Sequence, residues 1–526
     1  MIDRRTVLVS AAAAAAVAAP RISVGEERRT LRFVPRTALV QLDPVWTTDT
    51  TTRAFGAMVW DTIYSVDEKL TARPQMAEGH TIEDDGKRWT ITLREGLRFH
   101  DGEPVLARDC VASVNRWIKR DAVGKTIAGR LDELSASDDR TIVFRLKKPF
   151  AKLDFALGKA QPNLAPIMPA RIAETDPYEK IAEVVGSGPF QFLNDEFTAG
   201  SFAAMAKFEK YLPRNDAPTG TAGSRRVMVD RVEWRAIPDA ATASSALLKG
   251  EVDWVETPFP DLLPALRSSR DLTVDIFDPY GIYALLRMNH LQPPTDNVRV
   301  RQAVMAALDP VELMHAATGG DPAYFTAPVG CFVPGSVADN TAGMERIGGK
   351  KPSEVRDMLR AAGYSGQRTV LLHSVDSAAT HAMFQIIAAR LSEAGMTIDD
   401  VLMDQGTQLQ RRNSKEPVEK GGWSMLIANA PAADHLDPLV ALGLRTGAAA
   451  WIGWPSDPKL EELRDQWLDS TDPAEQKRLA AAIQEEALSD VVYAPLGRYL
   501  QPSAWRKSVS GILKSTLPVF WNVQKA

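Results

Sequence analysis

Residues 89–117, WTITLREGLRFHDGEPVLARDCVASVNRW, constrain the fold more than any other part of the chain. Trp89, Ile91 and Leu93 alternate with Thr90, Thr92 and Arg94, the period of a strand with one buried face. Glu95-Gly96 turns the chain into a second short strand over 97–99, and His100-Asp101-Gly102 turns it again. After Pro104 the period lengthens. Cys110 or Val111, Val114, Trp117 and Ile118 recur at three- and four-residue spacing, as one face of an amphipathic helix requires. Strand, turn, strand, turn and helix in one short run predict a mixed α/β subdomain with a core of its own.

The wording of this segment, LREGLRFHDGEP and then Ala107 and Asp109, resembles the signature of the family 5 solute-binding proteins of ABC transporters, the dipeptide- and oligopeptide-binding group. Where that family places a Thr before Ala-x-Asp, this chain has Leu106, which removes a helix cap worth about 1 kcal/mol. The resemblance continues in the family's order through Leu42-Asp43-Pro44, the strand pattern of 140–146 ahead of Pro149-Phe150, the turn Gly186-Ser187-Gly188-Pro189-Phe190, Gly250-Glu251-Val252-Asp253, and the helix opening at Asn297. It implies a two-lobed α/β periplasmic-binding-protein fold of type II, of the large class with an extra subdomain. The first lobe would comprise 30–278 plus 492–526, with an inserted subdomain near 60–180, and the second lobe 279–491. Two crossings, near 278–281 and 490–494, would form a hinge, since a few residues can absorb the rotation.

The second half reads independently as alternating helices and strands. Asp309-Pro310-Val311-Glu312 combines an N-cap, a Pro at the first helical position and an acid at the third. A strand over 369–375, a helix over 378–394 stopped by Gly395 and a strand over 396–403 predict a parallel crossover unit. Helices over 459–468 and 474–488 lead to a strand over 491–495. Near the start, residues 30–44 read as one strand, and helical spacing runs through Phe55, Val59 and Ile63.

Residues 1–19 stand apart. Arg4-Arg5 precedes an alanine-rich apolar run over 7–19, too short for a bilayer, with a cleavage site at Ala16-Val17-Ala18; the pattern predicts a secretory signal peptide of the twin-arginine type. No later segment is long and apolar enough to span a membrane, so a soluble exported, periplasmic protein is expected. Lys and Arg number 62 against 67 Asp and Glu, so no basic field exists to attract nucleic acid. The two cysteines, Cys110 and Cys331, lie far apart, and Cys110 sits on the apolar face of its helix, where a thiol acts as a small hydrophobe.

An exported chain of 526 residues can also be a hydrolase. Neither GxSxG nor HExxH occurs, and the seven histidines are scattered, so no catalytic residues, cofactor or metal site are assigned. A binding cleft calls for aromatics around a few polar groups. Residues 421–438 and the run Trp451-Ile452-Gly453-Trp454 are the richest candidates. In the peptide-binding relatives a loop that begins at a Trp and closes in Asp-Pro supplies the carboxylate for a ligand's ammonium group. The resemblance thereby points to Asp434 or Asp437, with Trp423, Trp451, Trp454, Trp46, Tyr280 and Tyr283 as candidate ligand contacts. Core packing is the alternative for Trp423, Trp451 and Trp454, and helix capping for Asp437. The expected partners are a small peptide or peptide-like solute and ABC permease subunits, with the protein itself a monomer. The competing classes are an exported hydrolase and a periplasmic sensor or chaperone-like binder.

Overall fold

The computed structural model describes residues 29–526, and the leader expected at 1–19 lies outside them. Two large sheets organise the chain. The first has seven strands in the order Leu272–Asp275, Ser503–Arg506, Trp254–Val255, Thr30–Val34, Arg231–Arg235, Phe202–Lys207 and Phe190–Phe192. Its inward residues build an aromatic core in which Phe33 meets the edges of Trp254 and Phe520 at 4.9 and 5.0 Å between centroids. The strand expected over 30–44 stops at Val34 because Pro35 has no N–H to give a ladder, and the Arg36 amide turns to the Glu256 carboxylate at 2.8 Å instead.

The second sheet has six strands in the order Phe325–Thr326, Ala494–Tyr499, Ile282–Met288, Met425–Pro431, Arg368–Ser374 and Thr397–Met403. The predicted crossover is present: Arg368–Ser374 pairs parallel with Thr397–Met403, and helix Ala378–Glu393 joins them, its first turn capped by Ser377. The Asp309 carboxylate accepts from the Val311 and Glu312 amides, as the capping pattern requires.

A four-stranded sheet, Ala77–Glu83, Arg88–Leu93, Thr141–Leu146 and Leu131–Ala136, forms the insertion, with helix Ala107–Trp117 packed on it through Cys110, Val114 and Trp117. Here 97–99 makes a single bridge, Arg98 to Pro104, in place of the expected second strand. The absent threonine cap is partly replaced by Asp109, whose Oδ2 accepts the Leu106 amide at 2.9 Å. Both cysteines are buried and free.

One expected boundary is corrected. Residues 494–499, placed by sequence in the first lobe, form a strand that runs antiparallel to Ile282–Met288 in the second sheet. A bulge opposite Ala284/Leu285 breaks the alternation there, so sequence pattern alone sees only the apolar run at 491–495. The second crossing therefore lies between Tyr499 and Ser503 rather than at 490–494. It runs against the first: Gly281 has φ +73°, and a side chain there would place Cβ 2.4 Å from the Tyr499 carbonyl oxygen, so both backbone angle and space demand glycine.

Candidate functional site

The paired crossings border a small crevice lined from one side by Arg36, Thr50 and Glu256 and from the other by Ile282 and Pro431. Helix Thr50–Val59, whose first residue lines the crevice, carries one buried charge a turn further in. The Asp49 carboxylate accepts from the Thr52 amide and starts the helix, every residue from Thr51 through Val59 is buried, and Arg53 is its sole charged residue. Arg53 is 3 % exposed. Its Nη2 donates to Thr50 Oγ1 at 3.3 Å, while Nε and Nη1 find no partner within the protein.

The opposing charge follows strand Met425–Pro431. That strand ends at the crossing, where the Ala432 amide donates to the Gly281 carbonyl at 2.8 Å, and the 3₁₀ turn Ala432–His435 carries Asp434 inward. Asp434 is 8 % exposed, and its Oδ1 has no hydrogen-bond partner. Burial pushes its carboxyl up to about 6 against the pull of Arg53 and then Lys159. Burial likewise lowers the Arg53 guanidinium, opposed first by Asp434. Each group is thus the other's strongest electrostatic partner, yet no direct ion pair closes between them.

The neighbouring charges are already satisfied. Arg36 Nε meets Glu256 at 3.0 Å, and buried Lys159 meets buried Asp121 at 2.7 Å while donating to the Gln161 carbonyl at 2.8 Å. Asp437 Oδ1 accepts the Leu439 amide at 2.9 Å, and its Oδ2 takes an ion pair from Lys152 at 2.8 Å. Capping plus this pair fills the Asp437 carboxylate, so of the two candidate acids Asp434 alone has an oxygen to offer. Lys152–Asp437 also ties the insertion to the second sheet's loops, as do Arg130–Asp469 at 2.6 Å and Arg445 to Thr126 Oγ1 at 3.2 Å.

The aromatic candidates separate from this site. Strands Ile282–Met288 and Met425–Pro431 pair with Ile282 opposite Pro431 and Met288 opposite Met425. Asp434, Tyr280 and Tyr283 belong to the Ile282/Pro431 end, whereas Trp423, Trp451 and Trp454 gather at the Met288/Met425 end, roughly 20 Å away along the strand by its rise per residue. Trp423 is fully buried and packs on Trp454 at 6.0 Å, which makes it a core residue. Trp451 covers Arg287 at 5.3 Å, and Arg287 donates to the Ile452 and Gly443 carbonyls. Tyr283 is buried as well, stacked on His435 at 4.3 Å with its hydroxyl donating to the Gly330 carbonyl. Tyr280 is half-buried, and its hydroxyl donates to the Glu68 carbonyl at 3.1 Å. Trp46 packs within the first lobe, under Lys180 and against the Tyr178 carbonyl. Arg53, Arg36 and Lys159 escaped sequence reasoning; one charge inside the otherwise uncharged TTTRAFGAMV helix was the available signal.

Among the described residues no helix can cross a membrane and no group of three or more His, Cys, Asp or Glu is arranged to hold a metal ion. A model of the bacterial extracellular solute-binding proteins, family 5 Middle, matches residues 71–449. A probable peptide ABC transporter periplasmic-binding protein of Sinorhizobium fredii is 35% identical over 525 residues, covering 98% of each chain. The glutathione-binding protein of Escherichia coli K12 is 27% identical over 89% of each. Among solved structures, the dipeptide-binding protein of a Pseudoalteromonas species in complex with Met-Leu superposes with a TM-score of 0.80 at 19% identity, covering 94% of this chain and 100% of the other. A Helicobacter pylori periplasmic binding protein in complex with the peptide STSA gives 0.78 at 22%, covering 96% and 100%. Those likenesses establish the two-lobed fold, and the sequence match establishes kinship: the chain belongs to the bacterial extracellular solute-binding proteins of family 5.

Proposed function

We propose that this protein captures an amine-bearing peptide or peptide-like solute between its two lobes and presents it to the permease of an ABC importer. The observation that carries the reading is the Asp434 carboxylate, buried at the lobe boundary with Oδ1 unpartnered. A buried acceptor of this kind costs free energy until a donor reaches it, and a solute ammonium is such a donor. Binding that is stronger in the closed arrangement shifts the population toward it, and a permease can read the closed form. Capture and release involve no covalent step, in keeping with a family of transport proteins. The molecule acts as a monomer outside the cytoplasm, exported by the leader at residues 1–19.

Stripping the protein by unfolding and refolding, then measuring small-angle scattering with and without the solute recovered from the native preparation, tests capture. The radius of gyration is expected to fall on binding. Tight binding with an unchanged radius would overturn closure. Export is tested separately: replacing Arg4 and Arg5 by lysine should hold the precursor in the cytoplasm, and unchanged secretion would rule out the twin-arginine route.

A further inference from the structure

Counting the charges around Asp434 and Arg53 leaves one cation that the capture of an amine does not use. Glu256 satisfies Arg36, Asp121 satisfies Lys159, and Lys152 together with two backbone amides satisfies Asp437. Asp49 is occupied by the Thr52 amide and hydroxyl at 2.8 and 3.1 Å. Arg53 and Asp434 remain. Both are more than nine-tenths buried, they belong to opposite lobes, and both keep unpartnered polar atoms: Nε and Nη1 on Arg53, Oδ1 on Asp434.

A solute bearing only an ammonium group would satisfy Asp434 and in doing so take away the carboxylate that most offsets Arg53, ahead of Asp49. The guanidinium would then be buried with N–H groups unmade and its main countercharge neutralised, which is strongly unfavourable. A neutral solute would leave both ends unmet. A solute with both an amine and an acidic oxyanion satisfies the two together. Arginine suits the second role because its planar N–H array matches a carboxylate and holds its charge at any physiological pH.

We infer that Arg53 is an anion-recognising residue of the solute site, and that the solute is a zwitterion whose free carboxylate lies against the Arg53 guanidinium while its amine lies against Asp434. This deepens the capture reading and rests on its assignment of Asp434.

The test uses the full-length mature protein, stripped by unfolding and refolding. A panel of amino acids, dipeptides including Met-Leu, and glutathione is offered, each as the free acid, the carboxamide and the N-acetyl form. Thermal shift finds the binders, and calorimetry measures them on wild type, Arg53→Gln, Arg53→Lys and Asp434→Asn. Wild type is expected to prefer free acid over amide by about 100-fold, and Arg53→Gln to reduce that ratio to within a few-fold while keeping the preference for free amine over N-acetyl. Arg53→Lys should retain part of the ratio, because charge survives and the planar fork does not. Melting curves of the same variants report folding, and Arg53→Lys keeps the buried charge should the glutamine variant unfold. Equal binding of acid and amide by wild type, or an unchanged ratio in Arg53→Gln, overturns the assignment of Arg53 and leaves the capture reading standing. If no amine in the panel binds, or Asp434→Asn binds them all as wild type does, the ammonium reading itself fails and takes this proposal with it.

Discussion

Two buried arginines, Arg287 on strand Ile282–Met288 and Arg53 on helix Thr50–Val59, have opposite surroundings. Near Met288, Arg287 is fully buried with no acidic partner at hydrogen-bond distance, yet Nε and Nη2 donate to the Ile452 carbonyl, Nη1 donates to Gly443, and Trp451 and Tyr493 cover its faces. Near the crossing, Arg53 is almost as buried and keeps a single weak bond to Thr50. Burial does not distinguish a structural charge from a working one. Whether the donors are spent does: spent donors lock the backbone of the second lobe, and unspent donors are what the proposed solute site requires.

The comparison is broken most directly at Arg287. Arg287→Ala removes its bonds to backbone carbonyls and opens a cavity, so about 3 to 5 kcal/mol of stability should be lost in urea denaturation. Arg53→Gln, which removes an unsatisfied buried charge, should leave stability nearly unchanged or raise it. If the two variants are destabilised equally, the distinction between spent and unspent donors has no energetic content.

Next in size is Asp434. Asp434→Asn should cost about 2 to 5 kcal/mol of affinity for an amine-bearing solute, by analogy with truncating one partner of a buried charge pair. Its stability effect depends on pH. In the folded protein the carboxyl keeps its proton up to about pH 6, whereas an unfolded aspartate loses it near pH 4. Between those values the folded state binds more protons, so this group's contribution to stability declines as pH rises. The asparagine variant should therefore gain on wild type from about pH 4 to about pH 6 and hold a constant lead above. Parallel stability curves would contradict the burial of an unpaired Asp434.

Smaller effects sharpen the picture of the boundary. Gly281→Ala forces an alanine into left-handed backbone against the Tyr499 carbonyl and should destabilise by about 2 to 3 kcal/mol. A calorimetric melt at wild-type temperature would show that the crossings can separate freely. Lys152→Met removes an ion pair between the insertion and the second lobe whose lysine is partly exposed, so solute affinity should fall by no more than about 1 kcal/mol, and less in high salt. Salt-independent weakening would argue that Lys152 touches the solute.

Periodicity and capping chemistry, which act within a few residues, made much of this molecule legible in advance. The strand, helix and strand of 368–403, the cap at Asp309 and the buried face of Ala107–Trp117 all follow from local pattern, and the helix opening at Asn297 from the family resemblance. Long-range placement was harder. Strand Ala494–Tyr499 hides behind a bulge, and nothing local says which sheet it joins. Asp434 was reachable because a family loop points to it, but the tryptophans near it in sequence lie at the far end of the strand from it in space. Arg53 was missed because a periodic reading marks it as one more buried helical position, and its role depends on a residue hundreds of positions later.

Strand Ser503–Arg506 sits between Leu272–Asp275 and Trp254–Val255, inside the first sheet and not at its rim. Every strand of the second sheet, by contrast, has been made once Tyr499 emerges. During synthesis the later half of the chain therefore has a complete sheet before the earlier half does. Until residues 503–506 pair with it, the Trp254 edge has no partner on that side. The first sheet therefore depends on pairing across a sequence separation of more than 200 residues, whereas the second sheet is complete without residues 503–506.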